Sequence, residues 1–144
     1  MSARTDVSRA IEEFSVGVKE VLYVGVDERY DYRNLFESYY TIDICPHKNP
    51  DIVGDIQFYK GDSYEGVIMT GVYEYLDFPK MAFNRIYEMS KRSLICLPGE
   101  AYYSDKSIVH PHEVFDVVKP LKVKSMNVTY YKKRVSYMQV FCFS

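Results

Sequence analysis

The chain has 144 residues, a formal net charge of −2, 47% apolar and 26% charged residues, and three cysteines. That is the usual length of one domain with its own core, and the values exclude a disordered or collagen-like chain. So small a charge gives no reason to expect a nucleic-acid partner, no apolar run reaches the roughly 18 residues of a membrane span, and the opening MSARTDVSRA has no signal-peptide core.

Ser8 to Glu20 places Ile11, Phe14 and Val18 at i, i+3 and i+7, which predicts a helix capped by Asp6 or Ser8. Val21 to Val26 is short, β-branched and nearly all apolar, the pattern of a strand buried on both faces of a parallel sheet. Arg33 to Tyr39 reads as a short helix and Tyr40 to Ile44 as a second strand ended by Pro46. His47 to Asp55 is turn-rich, and Gly66 to Val72 is a third buried run. Pro79 opens a helix with Met81, Ala82, Phe83, Ile86, Tyr87 and Met89 on a broad apolar face, since a first-turn proline loses no hydrogen bond. Ser93 to Leu97 is a fourth strand, His112 to Val118 a brief helix, and Leu121 to Tyr130 and Arg134 to Phe143 alternate like antiparallel strands turning at Lys132-Lys133.

This order predicts one compact α/β domain over residues 1–144, with a mostly parallel sheet, a C-terminal antiparallel hairpin and helices on both faces. Cys45, Cys96 and Cys142 are odd in number and far apart, which suggests free thiols in a reducing, cytoplasmic setting. The 15 tyrosines, with no tryptophan, suit half-wet packing, and Tyr23, Tyr30 and Tyr32 stand where they can frame a pocket. The terminal hairpin offers an edge through which two copies can pair as a homodimer.

In an open α/β sheet, ligands bind beyond the carboxyl ends of the strands. Gly25 and Asp27 follow the first strand, Asp43 and Ile44 end the second, and Thr70, Gly71 and Glu74 follow the third. Asp43 lies 18 residues beyond Gly25, the separation at which a nucleotide site places a carboxylate on ribose hydroxyls. Each residue also has an ordinary reading. Gly25 can simply end a strand, Asp43 can cap the turn before Pro46, and Asp55 can close an Asx-turn or accept from an adenine amino group. Glu74 and Tyr75 can be a helix-start acid and a half-buried ring, and His110 and His112 exposed loop residues.

The stretches VLYVGVDERYDYRNLF, YYTIDICPHKNPDIVGDI, YEGVIMTGVYEYLDFPKMAFNRIYEMSKRSLICLPG and SIVHPHEVFDVV, from Val21 to Val118, resemble the S-adenosylmethionine-dependent methyltransferases of Rossmann-like fold. Within these they are most similar to the branch acting on sugars and other small metabolites. The resemblance implies S-adenosylmethionine as cofactor and a small-molecule or sugar-like acceptor. It assigns Gly25 as the cofactor glycine, Asp43 (with Ile44) as the ribose acid, and Asp55 with Ile56 as the adenine pair. Thr70, Gly71 and Glu74 would face the methionine end and the acceptor. The family's G-x-G-x-G here reads Gly25-Val26-Asp27-Glu28-Arg29, where Asp27 or Glu28 can instead meet the cofactor's ammonium group. Tyr75 stands where the family's Leu-Glu-His-like turn has histidine.

Methyl transfer to a hydroxyl asks for in-line positioning and a base, and His110, His112, Glu113 and Glu74 are the candidates. Two histidines on a proline-interrupted loop make a poor tetrahedral set, so no metal site is expected. The alternative from another class is a degenerate methyltransferase fold without catalysis, a scaffold or protein-interaction module whose pocket is blocked where the glycines are missing.

Overall fold

The computed structural model describes residues 3–27, 30–72, 75–98, 126–133 and 136–143. In chain order these form α1 (Ala3–Ser15), β1 (Glu20–Val24), β2 (Ser38–Asp43), β3 (Ile52–Val53), β4 (Tyr64–Thr70), α2 (Pro79–Met89), β5 (Ser90–Pro98), β6 (Met126–Lys133) and β7 (Ser136–Phe143). They make one seven-stranded sheet in the order β3-β2-β1-β4-β5-β7-β6. The first five strands of that order pair in parallel, with Leu22 opposite Tyr40 on one side and Val67 on the other. β7 runs antiparallel between β5 and β6.

Why β1 carries almost no polar side chain follows from its position. It is flanked by β2 and β4, and alternate residues feed two separate cores. Leu22 and Val24 join Ile42, Val67, Met69, Ile95 and the α2 residues Ala82, Phe83, Ile86 and Met89 on one face. Val21 and Tyr23 join Ile68, Leu94 and Cys96 with the α1 residues Val7, Ala10, Ile11 and Phe14 on the other. The two helices therefore cover opposite faces.

Several elements differ from the sequence expectation. α1 begins at Ala3, so Asp6 and Ser8 lie inside it rather than at its cap, and it ends at Ser15, not Glu20. The Ser15 hydroxyl donates to the Glu12 carbonyl, which competes with helical continuation just before Gly17. Val18 still reaches the core, but from the connection beyond the helix. Arg33 to Tyr39 is not a helix: only Arg33–Leu35 makes a 3-10 turn, with the Asp31 carboxylate accepting from the Arg33 amide, and β2 has begun by Ser38. The segment read as a loop before Asp55 contains β3, a two-residue edge strand too short for any period to announce. The helix expected over His112 to Val118 lies outside the described residues.

α1 and β4 approach closely at Gly66, where an added Cβ would come within 2.8 Å of Val18 Cγ1 and 2.9 Å of the Phe14 ring. Gly66→Ala is therefore expected to cost about 1–3 kcal/mol through overpacking. Urea denaturation with an unchanged slope would register the loss, and unaltered stability would mean that α1 does not press on β4 here.

Candidate cofactor site

β1 leads to β2 on one side of it, while the chain later returns to β4 on its other side. Loops leaving the carboxyl ends of β1 and β4 thus diverge over opposite halves of the sheet, and the gap between them is a ready-made crevice. It has a volume of about 1130 Å³. Gly25, Asp27, Asp43, Ile44, Asp55, Ile56, Thr70 and Gly71 all line it. These eight of the residues proposed from sequence for the cofactor share this one crevice. His110, His112, Glu113 and Glu74 lie outside the described residues, as does Glu28.

The Asp43 carboxylate organises the crevice. It is nearly buried, and its Oδ2 accepts from the Val26 amide at 2.8 Å while Oδ1 accepts from the Cys45 amide at 2.8 Å. The loop after β1 is thereby tied to the loop after β2. Lys48 adds an ion pair at 3.9 Å to Oδ2. Four lone-pair positions less two amide bonds leave Asp43 with acceptor capacity on the crevice side. The loop carrying Cys45 and Lys48 is itself pinned: Asp51 Oδ2 accepts from the Thr41 amide at 2.9 Å and the Thr41 hydroxyl at 3.2 Å, and the Asp51 amide donates back to that hydroxyl at 2.9 Å.

Two glycines shape the floor. Gly25 has φ of +86° and its amide donates to the Ile42 carbonyl, while a Cβ there would lie 2.6 Å from Val72 Cγ2. Gly71 has φ of +65° with nothing within 4 Å of the place its Cβ would take, so a side chain would project into open space. Both backbone conformations favour glycine, and both leave the backbone bare. Between them, Thr70 Oγ1 is 2.7 Å from the hydroxyl of Tyr23, which lies under the floor. Of the three tyrosines expected to frame a pocket, Tyr30 lines the crevice, whereas Tyr23 and Tyr32 are buried beneath it. Their rings stand 5.8 Å apart, and the Tyr32 hydroxyl meets Ser8 of α1 at 2.9 Å. Tyr39 packs on Tyr23, and burial first, then the Tyr23 hydroxyl and Asp31, push its own hydroxyl well above the ordinary tyrosine range.

At the other end, Asp55 makes an Asx-turn, its Oδ1 accepting from the Gln57 amide at 2.9 Å. The turn reading and a role toward a ligand are compatible, because Asp55 lines the crevice while making it. Val26 and Asp27, the latter standing where the family loop has a glycine, border the crevice.

No protein-family model and no curated protein sequence matches the chain. Solved structures do. The magnesium protoporphyrin IX methyltransferase ChlM from Synechocystis PCC 6803, with bound SAM, matches at a TM-score of 0.76 and 11% identity, over 98% of this chain and 79% of that one. The N-methyltransferase NodS from Bradyrhizobium japonicum WM9 matches at 0.69 and 11% identity, over 94% of each chain. The N-terminal domain of EvdMO1, solved in the presence of SAH and D-fucose, matches at 0.69 and 10% identity, over 100% of this chain and 83% of that one. The fold is that of the S-adenosylmethionine-dependent methyltransferases.

The connection from β1 to β2 carries little helix. Its only helical turn among the described residues is Arg33–Leu35, and Tyr32 and Phe36 from this connection fill the core beside α1. Among the contributors to the crevice that sequence reasoning missed are Lys48, Gln57 and Cys96. Lys48 gave no signal beyond a charge on a turn-rich loop. Gln57 was legible only as the second residue after Asp55, where an Asx-turn closes. Cys96 lines the crevice from the end of β5, hidden within an apolar run.

Asp43→Asn leaves one carbonyl for two amide donors and turns an NH2 group toward one of them. A loss of about 2–3 kcal/mol in the free protein is expected from these charge-assisted bonds, read by chemical denaturation. Wild-type stability in that variant would contradict the double tie.

Proposed function

We propose that this protein binds S-adenosylmethionine in the crevice and transfers its methyl group to a hydroxyl of a small, sugar-like acceptor. The observation that carries the reading is the meeting of Gly25, Gly71, Asp43 and Asp55 around one crevice of a methyltransferase fold. The residues fit the cofactor. Gly25 and Gly71 keep side chains off the floor where a ligand must lie against backbone. The remaining acceptor positions of Asp43 suit a vicinal diol, because one carboxylate can take a hydrogen bond from each hydroxyl. The Asp55 carboxylate, a hydrogen-bond acceptor, suits an exocyclic amino group, with Ile44 and Ile56 as the apolar neighbours of the base. Asp27 borders the crevice as a carboxylate suited to an ammonium group.

When bound, the cofactor supplies an electrophilic methyl group on a sulfonium. The chain's part is to hold the acceptor oxygen in line and to take its proton. We assign that proton to one of His110, His112 and Glu74 on their sequence positions alone. The sugar-like acceptor rests on the sequence resemblance and is in keeping with the D-fucose present with the EvdMO1 domain.

Isothermal calorimetry with S-adenosylhomocysteine tests the reading. A saturable one-to-one heat is expected, weakened about tenfold or more in Asp43→Asn, by loss of a hydrogen bond to a charged group. Absence of heat at millimolar ligand would remove the proposed cofactor.

A further inference from the structure

Gln57 stands between two walls of the crevice. It is 6% exposed and bonds to a different segment of the chain with each end of its amide. Its Nε2 donates to Asp55 Oδ1 at 3.1 Å and Oδ2 at 3.2 Å, adding to the bond from its own backbone amide at 2.9 Å. Its Oε1 accepts from the amide of Phe78, the residue that precedes α2. Phe78 and Phe58 reinforce the joint edge to face, with ring centroids 6.3 Å apart. An amide side chain can donate at one end and accept at the other in this way.

The backbone amide and the Nε2 of Gln57, converging on the Asp55 carboxylate, fix its plane. The carboxylate is thereby held as an acceptor in one orientation. We infer that Gln57 is a positioning residue that makes the crevice select a 6-amino over a 6-oxo purine. This rests on the proposed reading that Asp55 faces the base. A 6-amino group donates to the fixed carboxylate, whereas a 6-oxo group sets an acceptor against it and leaves both unpaired, the situation in which a polar site discriminates strongly. Gln57 acts only through Asp55.

The test measures binding of S-adenosylhomocysteine and S-inosylhomocysteine by calorimetry to the wild type and to Q57E, Q57M, D55N and Q57M/D55N. Q57E keeps the shape and the acceptor for the Phe78 amide but loses the donor to Asp55, while Q57M removes both. The wild type is expected to prefer the adenosyl ligand at least about tenfold, and Q57E and Q57M to lower that preference by about tenfold, the weight of one hydrogen bond to a charged group. In the D55N background Q57M should change the preference no further. A merely structural role would weaken both ligands equally and leave the preference intact, and that result overturns the inference. So does a fall in preference that persists in D55N. Should Q57M not fold, the isosteric Q57E decides the matter alone. A wild type that binds neither ligand removes the proposed cofactor itself, an outcome distinct from tight binding with unaltered preference.

Discussion

The Asp43 carboxylate is the joint on which the crevice depends. Parallel strands end in loops that have no partner in the sheet, and their amides must be satisfied elsewhere if they are to stay in one place. Asp43, at the last position of β2, collects the Val26 amide from beyond β1 and the Cys45 amide from its own loop. One side chain thus fixes the spacing of two loops and still turns acceptor capacity outward. Gly25, whose amide bonds to Ile42 one residue earlier on the same strand, completes the closure.

The glycine-poor loop after β1 looks, in sequence, like an obstacle to a cofactor. In the structure the bare backbone is divided between two loops. Gly25 supplies the positive φ at the one position where a Cβ would strike Val72, and Gly71, from β4, bares the backbone on the facing side. Beneath them lies a layer of tyrosines. Tyr23, Tyr32 and Tyr39 stack in the α1 core, and the Tyr23 hydroxyl reaches Thr70 from below. The tyrosine-rich composition is in part the chemistry of this layer, where rings pack and hydroxyls pair.

Much of this was legible because periodicity and burial agree. The runs around Leu22, Ile68 and Ile95 are apolar on both faces, so each announces a central parallel strand, and Pro79 marks the start of α2 at its first residue. The crevice residues were legible because strand ends can be read once strands are found. What escaped has physical reasons. β3 has two residues and no period. Arg33 to Tyr39 carries helix-like residues, but Asp31 turns the chain and tertiary pairing draws Ser38 into β2. Lys48 and Gln57 act through partners distant in sequence or through geometry that a turn sets, and neither leaves a pattern. The identity of about 11% with the solved methyltransferases shows how few positions the fold constrains.

The central claim is that Asp43 holds two loops together and still has room for a diol. Residue-resolved amide hydrogen exchange by nuclear magnetic resonance, with and without S-adenosylhomocysteine, probes it most directly. The account predicts that the Val26 and Cys45 amides exchange far more slowly than exposed loop amides in the free protein, and more slowly still once the ligand is added. Exchange of both at loop rates, indifferent to the ligand, would contradict it.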